Sequence, residues 1–324
     1  MEIEINNDAE LQLFIKNKNI EHKLITHLTI DNCKKITTYS LAGIIGNLSA
    51  LTKLYIWNCI NLKHLPDSIC QLRVLTTLEI FYCNNLTHLP ETFGNMSSLR
   101  TFTIYNCNSL THLPDSFGNF LITLTKLMIQ LCNKLTHLPD SIGHLSALTQ
   151  LYIYNCNKLT HLPDSIGQLG DLTIFEIISC NNLTHLPESI GNLGALTTFA
   201  ISCNNLTHLP ETVGRMLALT TFKISDCEKI TLYSLVASFG NLRALTTLEI
   251  YDCNKLTHTV LPNSICFCKN LQKISISNIN ILPPSMILLE NLNDIRVIHN
   301  YKTTIQNVNE MRFIWYRILK NTLI

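Results

Sequence analysis

Between Leu148 and Leu172 the apolar residues fall at fixed places, Leu-x-x-Leu-x-Ile-x-x-Cys-x-x-Leu-x-x-Leu-Pro-x-x-Ile-Gly-x-Leu-x-x-Leu, and the same pattern recurs along the chain. Its first part alternates: Leu151 and Ile153 fall on one face of an extended segment, Tyr152 and Tyr154 on the other. Its second part is spaced for a turn. Leu159, Leu162, Ile166 and Leu169 line the rest of the interior, while Pro163-Asp-Ser starts a short helical or 3₁₀ turn on the outer side. Gly167, with equivalents at Gly94, Gly118, Gly143, Gly191, Gly214 and Gly240, is expected to end that turn and let the chain double back.

One rung of this kind cannot bury its own apolar edge. Stacking about twelve rungs at roughly 4.8 Å each predicts a parallel sheet about 55 Å long over one continuous core. The frame is set by ten cysteines, Cys33, Cys59, Cys83, Cys107, Cys132, Cys156, Cys180, Cys203, Cys227 and Cys253, separated by 26, 24, 24, 25, 24, 24, 23, 24 and 26 residues. Two further strand segments, Leu271 to Ile279 and Leu292 to Asn300, lack the cysteine.

The portion Leu-x-x-Leu-x-Ile-x-x-Cys resembles the leucine-rich repeat signature, and periods of about 20 to 29 residues belong to that architecture. The resemblance covers nearly the whole chain. It implies an α/β leucine-rich repeat solenoid, curved, with about twelve parallel strands on the concave face and short helical or 3₁₀ turns on the convex side. The expected organisation is an N-terminal cap over residues 1–24, the array over 25–300 and a C-terminal capping helix over 301–324, where Val308, Met311, Ile314, Trp315, Ile318 and Leu319 recur at helical spacing. A membrane- or partner-binding amphipathic helix is the alternative for that last segment. Asp8-Ala-Glu-Leu-Gln-Leu-Phe-Ile suits a short helix over the first rung.

Two rungs depart from the pattern. Cys33-Lys-Lys-Ile-Thr-Thr-Tyr-Ser-Leu and Cys227-Glu-Lys-Ile-Thr-Leu-Tyr-Ser-Leu lack Leu-Pro and precede the two 26-residue steps. They, and the Thr259-Val260 insertion, are candidate bends in the array.

Composition then limits the function. A net charge of +1 with 15% charged residues supplies no basic field for nucleic acid or lipid. The start, Met1-Glu-Ile-Glu-Ile-Asn-Asn-Asp, lacks the basic and apolar regions of a secretory signal, and no apolar run reaches the roughly 18 residues of a membrane span. A cytoplasmic, monomeric, soluble protein is expected. The ladder cysteines fit a small buried corner residue better than a zinc site, whose ligands come in close pairs. Only Cys266 and Cys268 are that close, and they have no second pair. Parallel side chains and a reducing compartment argue against disulfides.

A histidine ladder, His64, His88, His112, His137, His161, His185 and His208, precedes each Leu-Pro, with Asp or Glu three residues later. It is either a metal- or pH-responsive stripe or a solvated edge copied with the repeat. The Thr and Asn ladders are equally regular, so regularity does not decide between the two. Phosphate-loop, dinucleotide, zinc-protease and serine-hydrolase motifs are all absent. No enzyme activity, cofactor or metal is expected.

The repeats are most similar to those of plant intracellular nucleotide-binding immune receptors and of leucine-proline scaffold proteins of the Ras pathway. That resemblance implies sensing or scaffolding in signal transduction by protein contact, although the nucleotide-binding and signalling domains of the receptors are missing. Leucine-rich repeat effectors are a further relative in kind, without a ligase domain here. The candidate protein-binding residues are the outward aromatics Tyr55, Trp57, Phe81, Tyr82, Tyr105, Tyr152 and Tyr154. Exposed rings among few charges have the composition of interface hot spots. The competing reading is that the rings only stack rung on rung and stabilise the sheet.

Overall fold

The structure, a computed structural model, describes residues 1–17, 21–230, 239, 241–253, 261, 263–277, 283–299 and 302–306. The chain divides into two compact units, Met1–Leu169 and Gly170–Ile324. The first contains β1 (Glu2–Ile5), α1 (Asp8–Lys16), β2 (His27–Asp31), α2 (Thr38–Ile45), β3 (Lys53–Trp57), β4 (Thr77–Phe81), β5 (Thr101–Tyr105), β6 (Lys126–Gln130) and β7 (Gln150–Tyr154). Its strands pair in parallel in chain order. The second contains parallel β8 (Ile174–Ile178), β9 (Thr198–Ser202), β10 (Thr221–Ser225), β11 (Thr247–Tyr251), β12 (Lys273–Ser277) and β13 (Asp294–His299), with β14 (Lys302–Gln306) antiparallel to β13.

Each unit is the expected leucine-rich repeat stack. Register is exact to the residue: Leu54, Leu78, Phe102, Leu127 and Leu151 face one another in turn, as do Ile56, Ile80, Ile104, Ile129 and Ile153. All of these side chains are fully buried. Phenylalanines thicken the core at two places, Phe93–Phe102–Phe117 with centroids 5.0 to 6.0 Å apart, and Phe175–Phe199–Phe222–Phe239 at 5.5 to 6.3 Å.

The Leu-Pro rungs turn through 3₁₀ segments such as Asp67–Gln71, Glu91–Asn95, Asp140–His144 and Asp164–Gln168. Proline supplies the first acceptor of each, as when Ile69 N–H donates to the Pro66 carbonyl at 3.0 Å. The first irregular rung instead builds a full helix, α2. Thr37 caps it, with the Ser40 amide donating to the Thr37 hydroxyl at 3.3 Å and the Thr37 amide to the Ser40 hydroxyl at 2.9 Å. The second irregular rung from Thr231, the Thr259-Val260 insertion and the helical positions Val308 to Leu319 lie outside the described residues. The described part of the C-terminal segment, Lys302–Gln306, is strand rather than helix.

The chain leaves β2 to β8, β10 and β11 through one residue in the left-handed region: Asn32, Asn58, Tyr82, Asn106, Leu131 and Asn155 in the first unit, Ser179, Asp226 and Asp252 in the second, all with φ between 49° and 57°. That twist aims the amide at the next strand's last carbonyl, as from Asn58 to Phe81, Tyr82 to Tyr105 and Leu131 to Tyr154, each 2.9 Å. The cysteine follows immediately and turns inward. Cys59, Cys83 and Cys156 donate weakly to the preceding rung's carbonyls at Ile30, Ile56 and Ile129 over 3.7 to 3.8 Å. Burial pushes the Cys33 and Cys132 thiols up to about 12 and raises Cys107 and Cys203 as well, so these thiols stay protonated. All the cysteines are free.

The 23-residue step is explained at the same corner. Ser202, the last residue of β9, passes directly to Cys203 with no left-handed residue between them. The glycines have a different job from the one expected of them. No described glycine has a positive φ. A Cβ at Gly94, Gly118 or Gly191 would run into the backbone carbonyl of Ser116, Ser141 or Thr212 in the next rung, and one at Gly143 would lie 2.5 Å from the Ser165 carbonyl. Glycine is there to let turns of adjacent rungs touch.

A branched side chain held left-handed is strained by roughly 1–2 kcal/mol, whereas asparagine tolerates the region. Leu131→Asn is therefore expected to stabilise the protein by about 1 kcal/mol, and Gly143→Ala to destabilise it by at least as much, in urea titrations followed by far-UV circular dichroism.

Candidate functional site

First, third and fifth strand positions face away from the core, and exact register turns each position into a column. In the first unit the fifth-position column reads Asp31, Trp57, Phe81, Tyr105, Gln130 and Tyr154; the third-position column reads Thr29, Tyr55, Glu79, Thr103, Met128 and Tyr152. The rings are in contact. Trp57 stacks on Phe81 with centroids 5.7 Å apart at 11°, and Phe81 meets Tyr105 edge-on at 5.6 Å. Tyr55 leans on Trp57 at 5.9 Å, and Tyr82 meets Tyr105 at 5.1 Å. Tyr82 stands on the left-handed corner after β4 rather than on the strand, and is 41% exposed.

Five of the seven candidate residues thus form one continuous cluster. The other two, Tyr152 and Tyr154, form a pair on β7 at 5.8 Å, with the Lys126 ammonium 5.7 Å from the Tyr152 ring centroid. Met128 and Gln130 on β6 interrupt the rings between cluster and pair. Apart from Tyr82, every one of these rings is half-buried. They touch one another and still present area to a ligand. Trp57 Nε1–H is buried without an acceptor among the described residues.

Among the glutamates at the third strand position, Glu79 and Glu249 are held in contrasting ways. Glu249 on β11 is gripped by Lys223, its direct partner on β10, at 3.2 Å and by Lys273 on β12 at 2.7 Å. Burial works against its charge, but the two ammonium groups outweigh burial and hold its pKa below the ordinary carboxylate value. Glu79 on β4 is flanked in register by Tyr55 and Thr103. Among the described residues, no hydrogen bond or ion pair reaches its carboxylate. Burial raises its pKa, with Lys126 opposing weakly from a distance. Burial likewise raises the Tyr55 hydroxyl, reinforced by the Glu79 and Glu2 charges.

The histidine ladder is held from its own rung. Nδ1 of His88, His112, His137, His161, His185 and His208 lies 2.8 to 3.0 Å from the hydroxyl of the preceding threonine. Thr87 and Thr207 donate that hydroxyl to the preceding rung's carbonyl at 3.1 Å, which leaves the oxygen to accept from Nδ1–H. His64 stacks on His88 at 5.0 Å, and burial first, then His64 and His112, lowers the His88 pKa. This pair lines a groove of about 610 Å³ with Thr38, Ala42, Asp67 and Glu91. Among the described residues, no group of three or more His, Cys, Asp or Glu converges as a metal site. No described helix is long and apolar enough to cross a membrane.

Residues 120–206 match the family model described as disease resistance protein RPS4B-like, leucine-rich repeats. Among solved structures, the chain is similar to the LRR protein LIC12759 of Leptospira interrogans, with 24% identity, coverage of 92% of this chain and 90% of that one, and a TM-score of 0.43. It is also similar to the leucine-rich repeat domain of the type III effector XCV3220 (XopL), with 23% identity, 74% and 73% coverage and a TM-score of 0.45. A third is the internalin inlF of Listeria monocytogenes, with 15% identity, 86% and 81% coverage and a TM-score of 0.45. No curated protein matches the sequence.

Sequence reasoning missed the Lys223–Glu249–Lys273 triad because its members are 24 to 26 residues apart. The signal was available: aligned on the cysteine frame, all three are outward residues of adjacent rungs. A carboxylate with a depressed folded pKa contributes stability above its unfolded pKa and loses it as pH falls through the folded value. One with a raised pKa destabilises the fold when ionised, and that effect is relieved on acidification. At pH 7, Glu249→Gln is expected to lower stability by about 1 kcal/mol, and Glu79→Gln to leave it unchanged or raise it. Thermal melts of the two variants at pH 7 and pH 4 check both signs, since both differences shrink at the lower pH.

Proposed function

We propose that this leucine-rich repeat chain is a protein-recognition module, a scaffold or sensor of the immune-receptor-like kind, which binds a protein ligand on the sheet face of the Met1–Leu169 unit. The binding residues are Tyr55, Trp57, Phe81, Tyr82, Tyr105, Tyr152 and Tyr154. One observation carries this reading: the rings are fixed by mutual contact and still half exposed. Rigid rings bury large areas on binding at small entropic cost. The chain works by contact rather than catalysis, as a cytoplasmic monomer. Its organisation is a cap over 1–24, an array over 25–300 and a C-terminal cap over 301–324.

The ring contacts also favour a second reading, in which the aromatics serve the sheet alone. The two separate in one experiment. Trp57→Ala combined with Tyr105→Ala is expected to weaken capture of the native partner by roughly 2 kcal/mol or more and to lower the melting temperature only slightly. A large loss of stability with unchanged capture would assign the rings to the scaffold.

A further inference from the structure

The sheet contains its own demonstration of what a third-position glutamate binds. Around Glu249, the direct partner on the preceding strand is Lys223, and the residue on the following strand opposite Thr247 is Lys273. Both send an ammonium group to the carboxylate. Transposed onto β4, these places are filled by Tyr55, directly opposite Glu79, and by Thr101, opposite Thr77. Tyrosine and threonine bring no charge. The first-position lysines of β3 and β6, Lys53 and Lys126, make no ion pair with Glu79, and Lys126 lies over the Tyr152 ring. The same residue at the same place in the rung is therefore doubly neutralised on β11 and left bare on β4. The bare carboxylate sits beside Tyr55 and two residues before Phe81, whose ring stacks on Trp57.

We propose that Glu79 is the anchor point for a lysine or arginine side chain of the protein partner, which occupies the place that Lys223 and Lys273 hold at Glu249. This rests on the reading of the aromatic face as the binding surface and names the chemistry it selects. A carboxylate accepts charge-assisted hydrogen bonds from either cation, and flanking aromatic faces attract both. The desolvation that Glu79 already bears in the free protein is repaid once a cation arrives, so the slot discriminates sharply against neutral and acidic side chains. A face with rings alone would take any apolar segment. With Glu79 it requires an apolar segment carrying one positive charge at a fixed offset.

The test is selection of a random peptide library displayed on phage against the full chain, with Glu79→Gln, Glu79→Asp, Trp57→Ala and Glu249→Gln as comparisons. Peptides retained by the unsubstituted protein are expected to share a lysine or arginine next to apolar residues. Synthetic copies should bind Glu79→Gln about tenfold more weakly, retain selectivity with Glu79→Asp, and ignore Glu249→Gln. Replacing the shared basic residue by norleucine should cause the same loss. Peptides that depend on Trp57 but not on Glu79, and share no basic residue, would overturn the inference and leave the aromatic face standing as a binding surface. Peptides indifferent to both Trp57 and Glu79 would overturn both.

Discussion

Residue-for-residue parallel pairing is the constraint on which the rest of the molecule depends. It is kept by the corner at the ends of β2 to β8, β10 and β11, where one left-handed residue precedes a buried cysteine that turns the chain inward, and at Asn58, Tyr82 and Leu131 aims its amide at the next rung. A thiol suits that corner because it is small, donates weakly to carbonyls nearly 4 Å away, and needs no strong acceptor inside an apolar core. At Cys33, Cys107, Cys132 and Cys203 the raised pKa is a consequence of burial rather than a sign of redox work. The hydroxyls of Thr52, Thr76 and Thr149, just before their strands, add a second seam by donating to the preceding rung's carbonyl at 2.9 to 3.0 Å.

Because register does not slip, a side chain's neighbours on the outer face are whatever the adjacent rungs carry at the same position. The core columns repeat from rung to rung while the outward positions differ, with Trp57 against Phe81 in one place and Lys223 against Glu249 in another. The aromatic cluster and the lysine–glutamate triad are two fillings of one lattice, and the contrast between Glu79 and Glu249 is meaningful because backbone and rung position are shared. Differences in their ionisation arise from neighbours.

Much of this was legible in the sequence, for physical reasons. The core columns, the strand positions and the proline-led turns are period effects and repeat in every rung, so Leu151, Ile153 and Pro163 announce themselves. The left-handed residue at the strand end was not singled out: that role falls to Asn58, Tyr82 and Leu131, one place before the cysteine, while Gly143, expected to end its turn, is needed for close approach of turns. Nothing in Tyr82 or Leu131 as residue types signals a positive φ; only alignment on the cysteine does. The outer strand β1 eluded the frame because Glu2-Ile-Glu-Ile carries neither the leucines nor the cysteine of the repeat, and α2 because its helix depends on the Thr37–Ser40 capping box rather than on Leu-Pro. The seven aromatics were named from alternation, but their division into a cluster of five and a pair was not visible, since it turns on Met128 and Gln130. The unpaired state of Glu79 was hidden for the same reason: it is a property of what Tyr55 and Thr101 fail to supply.

The most direct test of this account is a carboxyl carbon NMR titration that follows Glu79 and Glu249 in one sample. Glu79 is expected to titrate above the ordinary glutamate value and Glu249 below it, in keeping with burial that outweighs the distant Lys126 charge on β4 and with two ammonium partners on β11. Coincident titrations, or the reverse order, would contradict the claim that one slot of this lattice is filled from within and the other left open.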